Sequence, residues 1–166
     1  MKILLLIGLL AVWPSTVRAE PQVYKDDVIE ITFPGPFSSE TKDISMPAGK
    51  TQITFLHCKF GTISYDINVS DLPEGSSISM EGAVEAARKQ AGGLLKSFEK
   101  QQNPKIQMIG CEYVMDAGVG THRGVIFVIG HRYYSLGYTG PIASENTKAA
   151  NRFFNSLKFF GHQIAE

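Results

Sequence analysis

Cysteine is scarce in this 166-residue chain: only Cys58 and Cys111 occur, so there is no CxxC redox pair. An excess of either charge is also missing. Lys+Arg and Asp+Glu are both 16, so the formal net charge is zero, which argues against a nucleic-acid binder with its usual basic surplus. Beyond residue 12 no apolar run approaches the ~20 residues that a membrane-spanning helix needs. There is no GxSxG nucleophile elbow, and His57, His122, His131 and His162 match neither HExxH nor another zinc spacing. Internal repeats, low-complexity tracts and long linkers are absent as well. Hydrophobic residues make up 43% and charged residues 19%, enough apolar material for one globular domain with a proper core.

The N-terminus has a different character. Lys2 precedes the short apolar run Ile3–Val12, broken only by Gly8, and Val17-Arg18-Ala19 sets small residues around a cleavage site. This reads as a secretory signal peptide, residues 1–19, cut after Ala19, followed by one domain over 20–166. The expected location is secreted or periplasmic, with no membrane span in the mature chain. Cleavage removes two of the 16 basic residues and leaves a slightly acidic domain. An oxidising compartment permits a Cys58–Cys111 disulfide. Two buried free thiols are the alternative, because free cysteine packs as a small hydrophobe.

The chain is organised around 120–140. Val125–Ile129 and Tyr133–Tyr138 are rich in β-branched and aromatic residues and are joined across Gly130-His131-Arg132, which reads as a tight antiparallel hairpin. Val125, Phe127 and Ile129 should face one way and Ile126 and Val128 the other, both ways apolar, so the hairpin belongs near the middle of a sheet. Before it, 20–27 reads as a loose lead-in. Strands are expected at Val28–Phe33, Thr41–Met46 and Thr51–Phe60, and then, after a turn at Gly61, through the clean alternation Ile63, Tyr65, Ile67, Val69. Met80, Val84, Ala87, Ala91, Leu94 or Leu95 and Phe98 recur at three- and four-residue steps and predict one helix, capped by Ser77 or Ser79 and ended by Asn103-Pro104. Another strand is expected at Ile106–Met115. Ala150, Phe153, Leu157 and Phe160 predict a last helix, with Ser144 as its cap and Gly161 at its end.

This order of elements resembles the PsbP-like fold, named for an extrinsic subunit of photosystem II and shared with DcrB-type periplasmic proteins and a Ran-binding nuclear factor. The residues that carry the resemblance are Phe33-Pro34-Gly35-Pro36 after the first strand, and Tyr65 through Pro73, ending Ser-Asp-Leu-Pro. Gly124 through Leu136 matches the family's Gly-x-Arg-aromatic-Tyr-x-Leu hairpin, and Ala150 through Phe159 its closing helix and tail. The resemblance implies an α+β protein, an antiparallel sheet with helices packed on it as an α/β/α sandwich. It implies no catalytic set, cofactor or metal, because proteins of this fold serve unrelated binding and scaffold roles.

Candidate chemistry is thin. Gly118 through Gly124 hints at a phosphate loop, but Arg123 stands where the third glycine belongs and a strand follows instead of a helix. His57 adjoins Cys58, yet neighbours on a strand point to opposite faces. Asp26, Asp27 and Asp116 read as solvated loop acids. Core packing accounts for Tyr133, Tyr134 and Tyr138. The alternative is a shallow recognition groove with His131, Arg132 and Tyr133 as its surface. The expectation is an exported, non-catalytic domain that binds a protein partner or envelope component. The competing readings are a small enzyme using His122, Arg123 and Arg132, and a structural accessory subunit of a larger complex.

Overall fold

The computed structural model describes residues 19–46, 49–118 and 120–160. Ten strands and two helices follow one another: β1 (Gln22–Lys25), β2 (Ile29–Phe33), β3 (Ser38–Met46), β4 (Gly49–Phe60), β5 (Ile63–Asp71), α1 (Met80–Ala91), β6 (Leu94–Asn103), β7 (Met108–Asp116), β8 (Thr121–Ile129), β9 (Arg132–Gly140), α2 (Lys148–Asn155) and β10 (Lys158–Phe159). Seven strands form one antiparallel sheet in the order β3-β4-β5-β9-β8-β7-β6. A small second sheet, β1-β2-β10, packs against it. The β8–β9 hairpin lies at or beside the middle of the large sheet, as its apolar faces predict.

The alternation of β8 assigns two faces. Phe127 points into a core with Ile29, Ile31 and Phe33 of β2, Leu136 and Tyr138 of β9, and Phe153 and Phe154 of α2. Ile126 points the other way, to Cys111, Tyr113 and Met115 of β7 and Met80 and Val84 of α1. We call these the core face and the helix face. The layers are α2 with the small sheet, the large sheet, and α1, an α+β fold of the PsbP-like type.

One expected helix is a helix and a strand. α1 stops at Ala91 because Gly92 adopts the left-handed conformation (φ 61°) and its N–H turns back to the Arg88 and Lys89 carbonyls. The chain then runs as β6, paired along its length with β7. Leu94 is 75% exposed, so its helical spacing from Met80 and Val84 is coincidence. Gly93 is needed where β6 sets off, since a Cβ there would lie 2.9 Å from the Asp116 carbonyl oxygen.

The last helix is shorter than its stripe. Thr147, not Ser144, caps it, by accepting from the Ala150 N–H, and Ser156 ends it. Leu157 and Phe160 therefore lie beyond the helix, and Lys158–Phe159 adds β10 to β2. Gly161 lies outside the described residues. The supposed lead-in contains β1, held by four pairs to β2. Asp26 is no solvated acid either. Its Oδ1 accepts from the Val28 and Ile29 N–H groups, and its Oδ2 accepts from the Tyr24 and Tyr134 hydroxyls.

Both cysteines are buried free thiols. Cys58 of β4 belongs to the core face and Cys111 of β7 to the helix face. The sheet order puts them four strand steps apart, roughly 19 Å at the usual spacing. A disulfide needs Cα atoms within about 7 Å, so the bridged alternative gives way to the free one. Burial pushes the Cys111 thiol up to about 11 and raises Cys58 as well, which keeps both protonated and unreactive near neutrality.

Candidate functional site

The hairpin turns fix how the helix face is assembled. Gly61 (φ 63°) closes β4–β5 and Gly130 (φ 62°) closes β8–β9. The resulting register lines up Ser38, His57, Asp66, Gly137, Gly124, Tyr113 and Phe98 as one row across all seven strands. The row has no side chain at its centre, and two rings fill the gap. Tyr113 lies over Gly124, where an added Cβ would come within 2.3 Å of the ring, and His122 lies over Gly137 at 3.0 Å. The Tyr113 hydroxyl and His122 Nε2 are 3.1 Å apart, and His122 Nδ1 is 2.9 Å from Thr139 Oγ1. One ring nitrogen donates and the other accepts, so the neutral imidazole satisfies both partners. Burial lowers the His122 pKa against an opposing pull from Asp66, and burial holds Tyr113 far above neutrality. This chain of rings fastens the sheet and is uncharged near pH 7.

Farther along the row, His57 Nδ1 donates to Asp66 Oδ1 across 2.5 Å on an open part of the face. Such a pair orients an imidazole, and nucleophilic catalysis would also require a hydroxyl or thiol on its other nitrogen. Ser38 donates instead to the His57 backbone oxygen. Among the described residues, no serine, threonine or cysteine side chain is bonded to the His57 ring.

The concave part of the helix face lies at its other end. The loop from Leu72 to Ser79 joins β5 to α1, turns at Gly75 (φ 75°), and is pinned by the Leu72 N–H to the His131 carbonyl at 2.7 Å. Ser79 then caps α1, accepting from Gly82 N–H. Between this loop and the β7–β8–β9 end lies a concavity of about 430 Å³. Met80, Val128 and Ile109 supply apolar walls, and Ile109 is 57% exposed. Glu74 and His131 stand on its rim, and Ser76 Oγ, also in the lining, is shielded from solvent without a hydrogen-bond partner.

The candidate residues from the sequence do not stay together. His131 reaches the rim of this concavity, and Tyr133 packs beside Val128 on the helix face. Arg132, between them, is tied to Asp27 and Asp71. The Asp71 hydrogen bond holds its guanidinium firmly protonated. His122, Arg123 and Arg132 do not converge. Arg123 bonds Glu112 and Asn151 and covers the Phe154 ring of α2, across the sheet from the His122–Tyr113 pair. Arg132 sits at the far end of β9. Gly118 through Gly124 leads into β8, so no helix N-terminus follows it. The contribution of Ile109 and the 72–79 loop was hidden in the sequence. The His57–Asp66 pair was readable by counting the hairpin register outward from Gly61.

With this architecture in hand, comparison with known proteins gives the fold. The structure is similar to the solution structure of cyanobacterial PsbP (CyanoP) from Synechocystis sp. PCC 6803, with a TM-score of 0.58. The match covers 92% of this chain and 100% of that one at 12% sequence identity, which carries the fold alone. No protein-family sequence model matches the chain, and no curated protein sequence does.

Proposed function

We propose that this protein is an exported, non-catalytic binding domain, with residues 1–19 as a removable leader and 20–166 as the working part. Its concavity at the start of α1 receives an apolar side chain of a protein partner or envelope component. The observation that carries this reading is an exposed Ile109 set in the wall of the concavity beside Met80 and Val128. An incoming apolar side chain would cover the isoleucine and take its surface out of water. The fold supports the same reading, because the protein that named it is an extrinsic subunit of a larger assembly.

The test is affinity capture from the native compartment with the wild-type chain, Ile109→Asp and Val23→Asp. Val23 is an equally exposed apolar residue on β1. A species held by wild type and Val23→Asp but lost with Ile109→Asp supports the reading. Recovery of nothing above background, or equal recovery with all three, defeats it.

A further inference from the structure

The two edges of the large sheet differ in how they refuse neighbours. β6 is blunted. Its register shifts between Leu95 and Ser97, and its lysines are engaged, Lys96 with Asp116 and Glu145 and Lys100 with Glu81. β3 is the opposite edge; it carries charges, Glu40, Lys42 and Asp43, but no register shift. It pairs with β4 in unbroken register from Ser38 to Met46 and contains no proline, and among the described residues no strand pairs with its outer edge. A nine-residue regular edge of this kind is a template for another strand.

The charge pattern of β3 selects that strand. Glu40 and Lys42 project from one face and already meet at 3.1 Å within the chain. Two copies of β3 joined antiparallel in one continuous sheet are related by a two-fold axis perpendicular to it, so side chains meet others on the same face. The axis must then pass through a residue paired with its own copy. Centred on Lys42, lysine meets lysine; centred on Glu40 or Asp43, acid meets acid. Centred on Thr41, Glu40 of each copy meets Lys42 of the other, twice, and four charges of alternating sign close into one cluster. Thr41 meets Thr41, and Ser39 meets Asp43 on the other face. β6 offers no such register: the shift between Leu95 and Ser97 interrupts its alternation, and Lys100, opposite Cys111, points to the other face from Glu99, opposite Glu112.

The geometry points to self-association through β3: two copies form one fourteen-stranded sheet with Thr41 on the axis. This interface is separate from the concavity and does not depend on it.

Sedimentation velocity over a concentration series tests the idea with purified wild type, E40K, K42E, the double variant E40K/K42E, and an equimolar mixture of the two single variants. All substitutions lie on exposed positions of an edge strand, and circular dichroism verifies that each variant is folded. Wild type should show a monomer–dimer equilibrium. Each single variant places like charges opposite one another twice and should weaken dimerisation about tenfold or more. The double variant and the mixture restore opposite charges and should dimerise like wild type. Cysteine scanning reads the register: T41C should oxidise to a covalent dimer faster than S39C or D43C. A protein monomeric at every concentration overturns the inference. So does a dimer indifferent to the charge swaps, or one cross-linked equally well from all three positions.

Discussion

On the core face of the large sheet, Ile67, Leu136 and Tyr138 are sealed beneath β2 and α2, and rings of Phe33, Tyr65 and Phe153 pack edge to face or tilted. On the helix face, α1 packs on β6, β7 and β8. The half built by β3, β4 and β5 keeps partly exposed polar side chains, His57 and Asp66 among them. One face therefore holds the protein together chiefly by burial, with a few hydrogen bonds at its margins. The other combines a modest apolar patch with a fixed set of hydrogen bonds, and it keeps the concave site. Substitutions should separate the two roles.

The largest loss is expected from Phe153→Ala. Phe153 is buried on α2 and contacts three aromatic rings, so its removal leaves a cavity worth about 3–5 kcal/mol in chemical denaturation. Gly124→Ala comes next. Its Cβ would displace the Tyr113 ring and break the contact with His122, at about 1–3 kcal/mol, and His122→Gln in the same background should add little further cost.

A smaller effect is pH dependence. His122 has a lowered folded-state pKa, so the unfolded chain binds more protons between that value and the ordinary imidazole range. Its contribution to stability is complete above pH ~6.5 and falls as pH drops from there through the folded-state value. His122→Gln should flatten that part of a stability–pH curve. The smallest effect on stability belongs to Ile109→Asp, within about 0.5 kcal/mol of wild type by thermal melting, because the residue is largely exposed.

The same contrast explains what could be read from the residues. β5 and the β8–β9 hairpin were legible because alternation on a half-buried or buried strand is a local signal, and Phe127 and Ile126 face the sides it predicts. β6 was not. Leu94-Leu95-Lys96-Ser97-Phe98 carries helical spacing, and only pairing with β7 and the left-handed turn at Gly92 make it a strand. β1 and β10 were missed for a similar reason, being short segments that exist through pairing with β2. At the candidate site, the sequence offered His131 with Arg132 and Tyr133 as an alternative recognition surface, and His131 lies in the lining of the concavity. Ile109 and Ser76 came into view only when the fold brought β7 and the 72–79 loop together, residues with no shared sequence signal.

The claim that the helix face, and not the core-side surface, meets the partner is tested most directly by site-specific photo-cross-linking in the native compartment. A benzophenone side chain is placed at Ile109 in one variant and at Val23 in another. A discrete cross-linked species from position 109 and none from position 23 is the result this account predicts. No product from position 109, or the same products from both, would contradict it.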